Sequence, residues 1–166
     1  MFSEKLKIVP VMNYGNLDAG ETLYADSINM ANFHKATFIL QFIGLGTADT
    51  CIWMYSGATD ASYSSALPFK YAYGGAATGS ANCDKLGAWS SNLSGGIPIA
   101  VSPANATYTN SMMVIEVNAD DMDIANGEKW LSLGFLDTLT NAAGRVVAFA
   151  ILEPRYTGNR SASALA

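Results

Sequence analysis

The sequence predicts an all-β protein, an antiparallel β-sandwich or barrel of jelly-roll-like character with long Gly/Ser/Asn-rich loops. Three observations carry that expectation. Eight or nine short segments are rich in β-branched and aromatic residues, Gly, Asn and Ser turns divide them, and no long amphipathic helical period is present. A chain of 166 residues has room for one domain. Residues 1–156 form the expected single β-domain, and residues 157–166 (TGNRSASALA), with little to bury, an expected flexible tail.

The first strand is LKIVPVM (6–12); Pro10 lacks a ladder donor and so belongs on a sheet edge or at a contact between subunits. ATFILQFIGL (36–45) is apolar on both faces, as in a strand covered on both sides. TCIWMYSG (50–57) follows the glycine-bearing stretch GLGTAD, which predicts a β-hairpin with 36–45. In ALPFKYAY (66–73), Leu67, Phe69, Tyr71 and Tyr73 share one face. GGAATGSANC (74–83) suits a long loop. IPIAVS (97–102) and YTNSMMVIEVN (108–118) are the next strands, followed by a turn at 119–128 with one helical turn capped by Asp120 or Asp121. KWLSLGFLD (129–137) and RVVAFAILE (145–153) complete the set.

Composition bounds the function. Half the residues are apolar and 14% are charged, against roughly 25% in an ordinary soluble protein. Such a surface favours association, so the composition itself implies an assembly partner. The net charge is −5, from 9 basic and 14 acidic residues, and the basic ones form no cluster, so no nucleic-acid partner is expected. No apolar stretch approaches the roughly 20 residues of a membrane helix, and no membrane partner is expected. The opening segment is too short and mixed for a secretory signal, which predicts an intracellular origin. Cys51 and Cys83 form no CxxC pair; Cys51 reads as a small apolar strand residue.

Chemistry-bearing candidates are few. His34, the only histidine, follows Asp26 and Ser27 at a spacing with no rationale for contact, so its segment reads as a turn leading into a buried strand. GLGTAD lacks the third glycine of a dinucleotide loop, and a strand follows where a helix would have to begin. Asp120, Asp121, Asp123 and Asn126 depart from EF-hand spacing at Ala125, and read as a solvated turn. Trp53, Trp89, Trp130, Tyr71 and Tyr73 offer a sugar-binding face or, more simply, core and interface. No nucleophile elbow, phosphate loop or HExxH is present. The expectation is a protein that is not an enzyme and carries no cofactor or metal.

Two stretches carry a resemblance. One is the early VPV strand followed by ADSINMANFHKATFIL; the other is MMVIEVNADDMD, GEKWLSLGF and VVAFAILEPRYTGN. Together they resemble a family of small proteins encoded among the virion genes of tailed bacteriophages and prophages, in order over most of the chain, with residues 60–105 the least similar. The resemblance implies a virion structural protein, a capsid decoration (cement) protein made in the host cytoplasm and placed on the outer surface of the phage head. It would bridge subunits of the major capsid protein, as a homotrimer at three-fold positions. Under that reading the interface residues are Ile8, Val9, Pro10 and Val11 of the first strand, His34 at its turn, and Arg155 and Tyr156 after Pro154. The alternative is a carbohydrate- or receptor-binding sandwich of a phage neck, tail or fibre, with Trp89 the first contact residue to test.

Overall fold

The alternating patterns resolve into strands in two layers. The computed structural model describes residues 5–17, 22–45, 50–74, 85–93, 95–99, 110–137, 144–156 and 163–165. Among them run β1 (Lys7–Asn16), β2 (Leu23–Tyr24), β3 (Ile28–Asn29), β4 (Phe33–Ile43), β5 (Thr50–Gly57), β6 (Ser65–Ala66) and β7 (Phe69–Gly74). β8 (Ser90–Asn92), β9 (Ile97–Pro98), β10 (Met112–Asn118), β11 (Trp130–Asp137) and β12 (Arg145–Pro154) follow. The first sheet has the order β1-β12-β4-β10-β7-β8, and the second β2-β11-β5-β6, with β3 also on β11 and β9 also on β5. Every ladder among the described residues is antiparallel. Both sheets end in open edges, so of the two expected architectures the chain is a sandwich and not a closed barrel.

The core lies between the layers. Phe38, Leu40 and Phe42 of β4 and Ala148, Ala150 and Leu152 of β12 are fully buried from one side, and Ile52, Met54, Leu131, Leu133 and Phe135 from the other. Large and small residues alternate across the ladder: Phe38 stands beside Ala150, Leu40 beside Ala148, and Leu152 beside Ala36. That complementarity lets two long strands pack closely under the second sheet. Each large side chain removed from water contributes roughly 1.5–3 kcal/mol.

Three expectations need correction. Residues 36–45 and 50–57 are not a hairpin: β4 belongs to the first sheet and β5 to the second. Each has one fully buried face, and those faces meet across the core instead of lying side by side. The turn chemistry around Gly44, which has φ +59, suits an arch between layers as well as a hairpin. In the 119–128 segment two 3-10 turns form, at Ala119–Asp121 and Ile124–Asn126, and the cap is neither Asp120 nor Asp121. Asp123 accepts from the Asn126 N–H, and Gly127 closes the turn at φ +74. The tail expected at 157–166 lies partly outside the described residues, but residues 163–165 are held. Ala164 is buried, its carbonyl accepts from the Asn29 N–H at 2.8 Å, and Leu165 packs on the core.

Pro10 does stand on an edge, because among the described residues β1 pairs only with β12. The edge is further interrupted by register shifts between Pro10 and Met12 and between Met12 and Gly15, and the Val11 carbonyl accepts from the Asp26 N–H at 3.0 Å. These features blunt a long edge strand against pairing with another chain. The expected strand at 97–102 reduces to β9, with residues 100–109 outside the described residues, as are Cys83 and all of the 74–83 loop after Gly74.

Candidate functional site

The residues singled out for contact with neighbours separate by strand parity. Val9 and Val11 point into the chain's own core, 4% and 2% exposed, whereas Ile8 and Pro10 face outward. A run of four apolar residues hides which face is which, and here β12 decides it. His34 is exposed at the start of β4, and Tyr156 is exposed. Arg155 is half-buried against its own fold, donating from its backbone N–H to the Asn32 carbonyl at 2.9 Å and from Nε to the Phe33 carbonyl at 3.1 Å. It rims an apolar groove of about 380 Å³ over Met30, Ala119 and Met122. Ser27 does not serve His34. It is buried, bonded to the Ser132 hydroxyl at 2.8 Å, and accepts from the Ala61 N–H.

The outward side of the first sheet is apolar over three strands. On β12 the outward residues are Arg145, Val147, Phe149, Ile151 and Glu153, alternating with the core residues 146, 148, 150 and 152. Ile8 and Pro10 of β1 pair with Ile151 and Phe149. On the other side Ile39 pairs with Phe149, Gln41 with Val147, Thr37 with Ile151 and Ile43 with Arg145. Ile8, Ile43 and Phe149 are 54%, 47% and 42% exposed. The row continues to Val114 and Ala72, which are buried yet lie outside the core between the sheets. The open part of the face is therefore β1–β12–β4. At its margins Lys35 pairs with Glu116 at 2.8 Å, and Arg145 lies over the Tyr14 ring and donates to the Tyr14 hydroxyl.

The outward side of the second sheet is aromatic. Trp53 and Tyr55 of β5 stack at 5.9 Å between ring centroids, Tyr24 of β2 stacks on Tyr63 at 3.5 Å, and Tyr55 meets both tyrosines edge-on. Gly134 makes room for them, since a Cβ there would stand 3.0 Å from the Tyr24 ring and 3.2 Å from that of Tyr55. Beside Tyr24 and Tyr63 opens a cleft of about 310 Å³ that Asp26 and Asp60 also line. Burial pushes the Tyr55 and Tyr63 hydroxyls above the ordinary value of 10.0. Tyr24 adds to the shift in both, and Asp60 and Asp26 add further to that of Tyr63. The set expected from the sequence is not the set brought together. Trp53 and Trp130 lie on the second sheet, Tyr71 and Tyr73 on the first, and Trp89 in the segment leading into β8. The period of two through Cys51, Trp53 and Tyr55 was a usable signal; nothing local pointed to Tyr24 or Tyr63.

No protein-family model matches the chain, and no curated protein matches it. Among solved structures it is similar to a protein of the Bacillus endospore appendages, which are disulfide-linked pili (13% identity, 90% of this chain and 88% of that one, TM-score 0.43). It is also similar to the SPBc2 prophage-derived protein YomS (14% identity, 87% and 94%, TM-score 0.35). A third likeness is to a family 11 carbohydrate-binding module from Clostridium thermocellum (10% identity, 90% and 84%, TM-score 0.27).

Proposed function

We propose that this chain is a structural, non-catalytic protein of a tailed-phage virion, a decoration protein that binds the major capsid protein in many copies on the outside of the head. The observation that carries the proposal is the open apolar face of β1, β12 and β4. Ile8, Ile43 and Phe149 stand in water there beside Val147, Ile151 and Ile39, on a chain with 14% charged residues. A contiguous apolar sheet face is a surface that assembly covers. The sequence resemblance to virion proteins supplies the context, and many copies would multiply a modest contact into a stabilised shell. Heads purified without the protein are expected to open at lower temperature and to regain stability when it is added back. A virion carrying only a few copies would remove the proposal.

The aromatic cleft favours a second reading, a saccharide site. Ring faces at Tyr24 and Tyr63 would cover the apolar side of a sugar while Asp26 and Asp60 accept from its hydroxyls. A glycan array that lights up with the wild type and dims with Tyr63→Ser is the expected result; a blank array excludes it.

A further inference from the structure

We infer that the open half of the first sheet's outer face is a two-fold self-interface, covered by a second copy of this chain turned 180° about an axis through Phe149. The inference rests on the reading of this face as an assembly surface; a second copy covering it leaves the contact with the major capsid protein to other surfaces of the dimer.

The outward residues of β12 run Arg145, Val147, Phe149, Ile151, Glu153. The exposed aromatic is in the middle, one aliphatic residue stands on each side, and the two ends carry opposite charges. Turned about Phe149, the pattern meets itself: Val147 faces Ile151 of the other copy, and Arg145 faces its Glu153. An isologous contact requires this self-complementarity, whereas a shell protein of different sequence does not call for it. At a strand rise of about 3.4 Å, Arg145 and Glu153 are about 27 Å apart, so two ion pairs would bracket one apolar centre. The flanking strands extend that centre on both sides of β12, with Pro10 and Ile39 beside Phe149 and Ile8 beside Ile151. Packed sheets cross at about 30°, and the offset this gives at the strand ends is within the combined reach of an arginine and a glutamate.

Charge points the same way. The chain carries −5 overall, yet the outward positions of β4 and β12 hold Lys35 and Arg145 against Glu153, so the acidity of the whole chain is not carried onto this face. Glu153 stands in register beside Lys35, whose ammonium is bonded to Glu116 and not to Glu153, and Arg145 engages Tyr14 through Nε and its face. The trimer implied by the family resemblance would need a head-to-tail contact between two different patches; this face offers one patch that fits itself.

Sedimentation equilibrium of the full chain tests the inference with the wild type, Arg145→Glu, Glu153→Arg, the double reversal and Phe149→Glu. The wild type should dimerise with concentration. Each single reversal should weaken the dimer about tenfold or more, and the double reversal should restore it, because the swapped charges again face each other. Phe149→Glu should be monomeric, with the melting temperature of the wild type at dilutions where the wild type too is monomeric, since Phe149 is outside the core. A wild type that is monomeric or trimeric at every concentration overturns the inference, as does a double reversal no better than the singles. If the wild type stays monomeric while virions carry many copies, the inference fails and the virion reading stands. A dimer in solution with few copies per virion does the reverse.

Discussion

Glu128 shows what a single residue can hide in a sequence. It follows a turn of acidic and small residues and reads as solvated, yet it is 6% exposed. Its carboxylate accepts from the Ser56 hydroxyl and, at 3.0 Å, from that of Ser65, so two strands of the second sheet are tied to the turn before β11. The partners lie 72 and 63 positions away, which is why no local pattern announced them. Ser56 is fully buried, and Glu128→Ala removes its acceptor. That leaves a polar group without a partner, at a cost of roughly 1–3 kcal/mol. Glu128→Gln, which keeps an oxygen in place, should cost less. Urea unfolding of the two variants checks the order, and an alanine variant as stable as the wild type contradicts it. Val9 and Val11 make the complementary point. Their being apolar was plain from the sequence, but not which of Ile8, Val9, Pro10 and Val11 face inward.

At the scale of the element, strands were legible because their period of two survives in most of them; β11 and β12 fall within one residue of the segments read from the sequence, and β10 ends where expected but starts four residues later. Pairing was not. The stretch between β4 and β5 allowed either a hairpin or an arch, and burial of both inner faces selected the arch. The aromatic set on β5 and its neighbours has a pH signature. Burial first, then the charge of the ionised Tyr24 hydroxyl, raises the folded pKa of Tyr55 and Tyr63 above 10.0, with Asp60 and Asp26 contributing at Tyr63. In the folded state these hydroxyls hold their protons longer than in the unfolded chain. Their contribution is therefore complete below pH 10.0 and is lost as pH rises through the raised values. Ultraviolet titration of phenolate should resolve a late-ionising class of tyrosines. Denaturation should merge it with the others, and a single class near 10.0 in the folded protein would be the contrary result.

For the whole molecule, the strand pattern foretold a β-fold, and the structure adds an apolar outer face on the first sheet, open over β1, β12 and β4. The topology was beyond reach, because β1 pairs with β12 and β5 with β11, across most of the chain. Such pairings must close long loops before they are rewarded, so refolding followed by stopped-flow tryptophan fluorescence should take milliseconds to seconds. Microsecond refolding would mean that local contacts dominate the barrier. The β1–β12 ladder also sets how the fold meets mechanical load. Lys7 stands beside Leu152, so the two strands leave the sheet at the same corner. Tension between those two points strips the ladder one pair at a time, like a zip, against the resistance of a single rung. Tension between Lys7 and Arg145, at opposite ends, would set every rung in shear together. The protein is thus weak to peeling at one corner and strong to stretching along its strands, and any tether that must bear force would better be anchored across the strand length than at that corner.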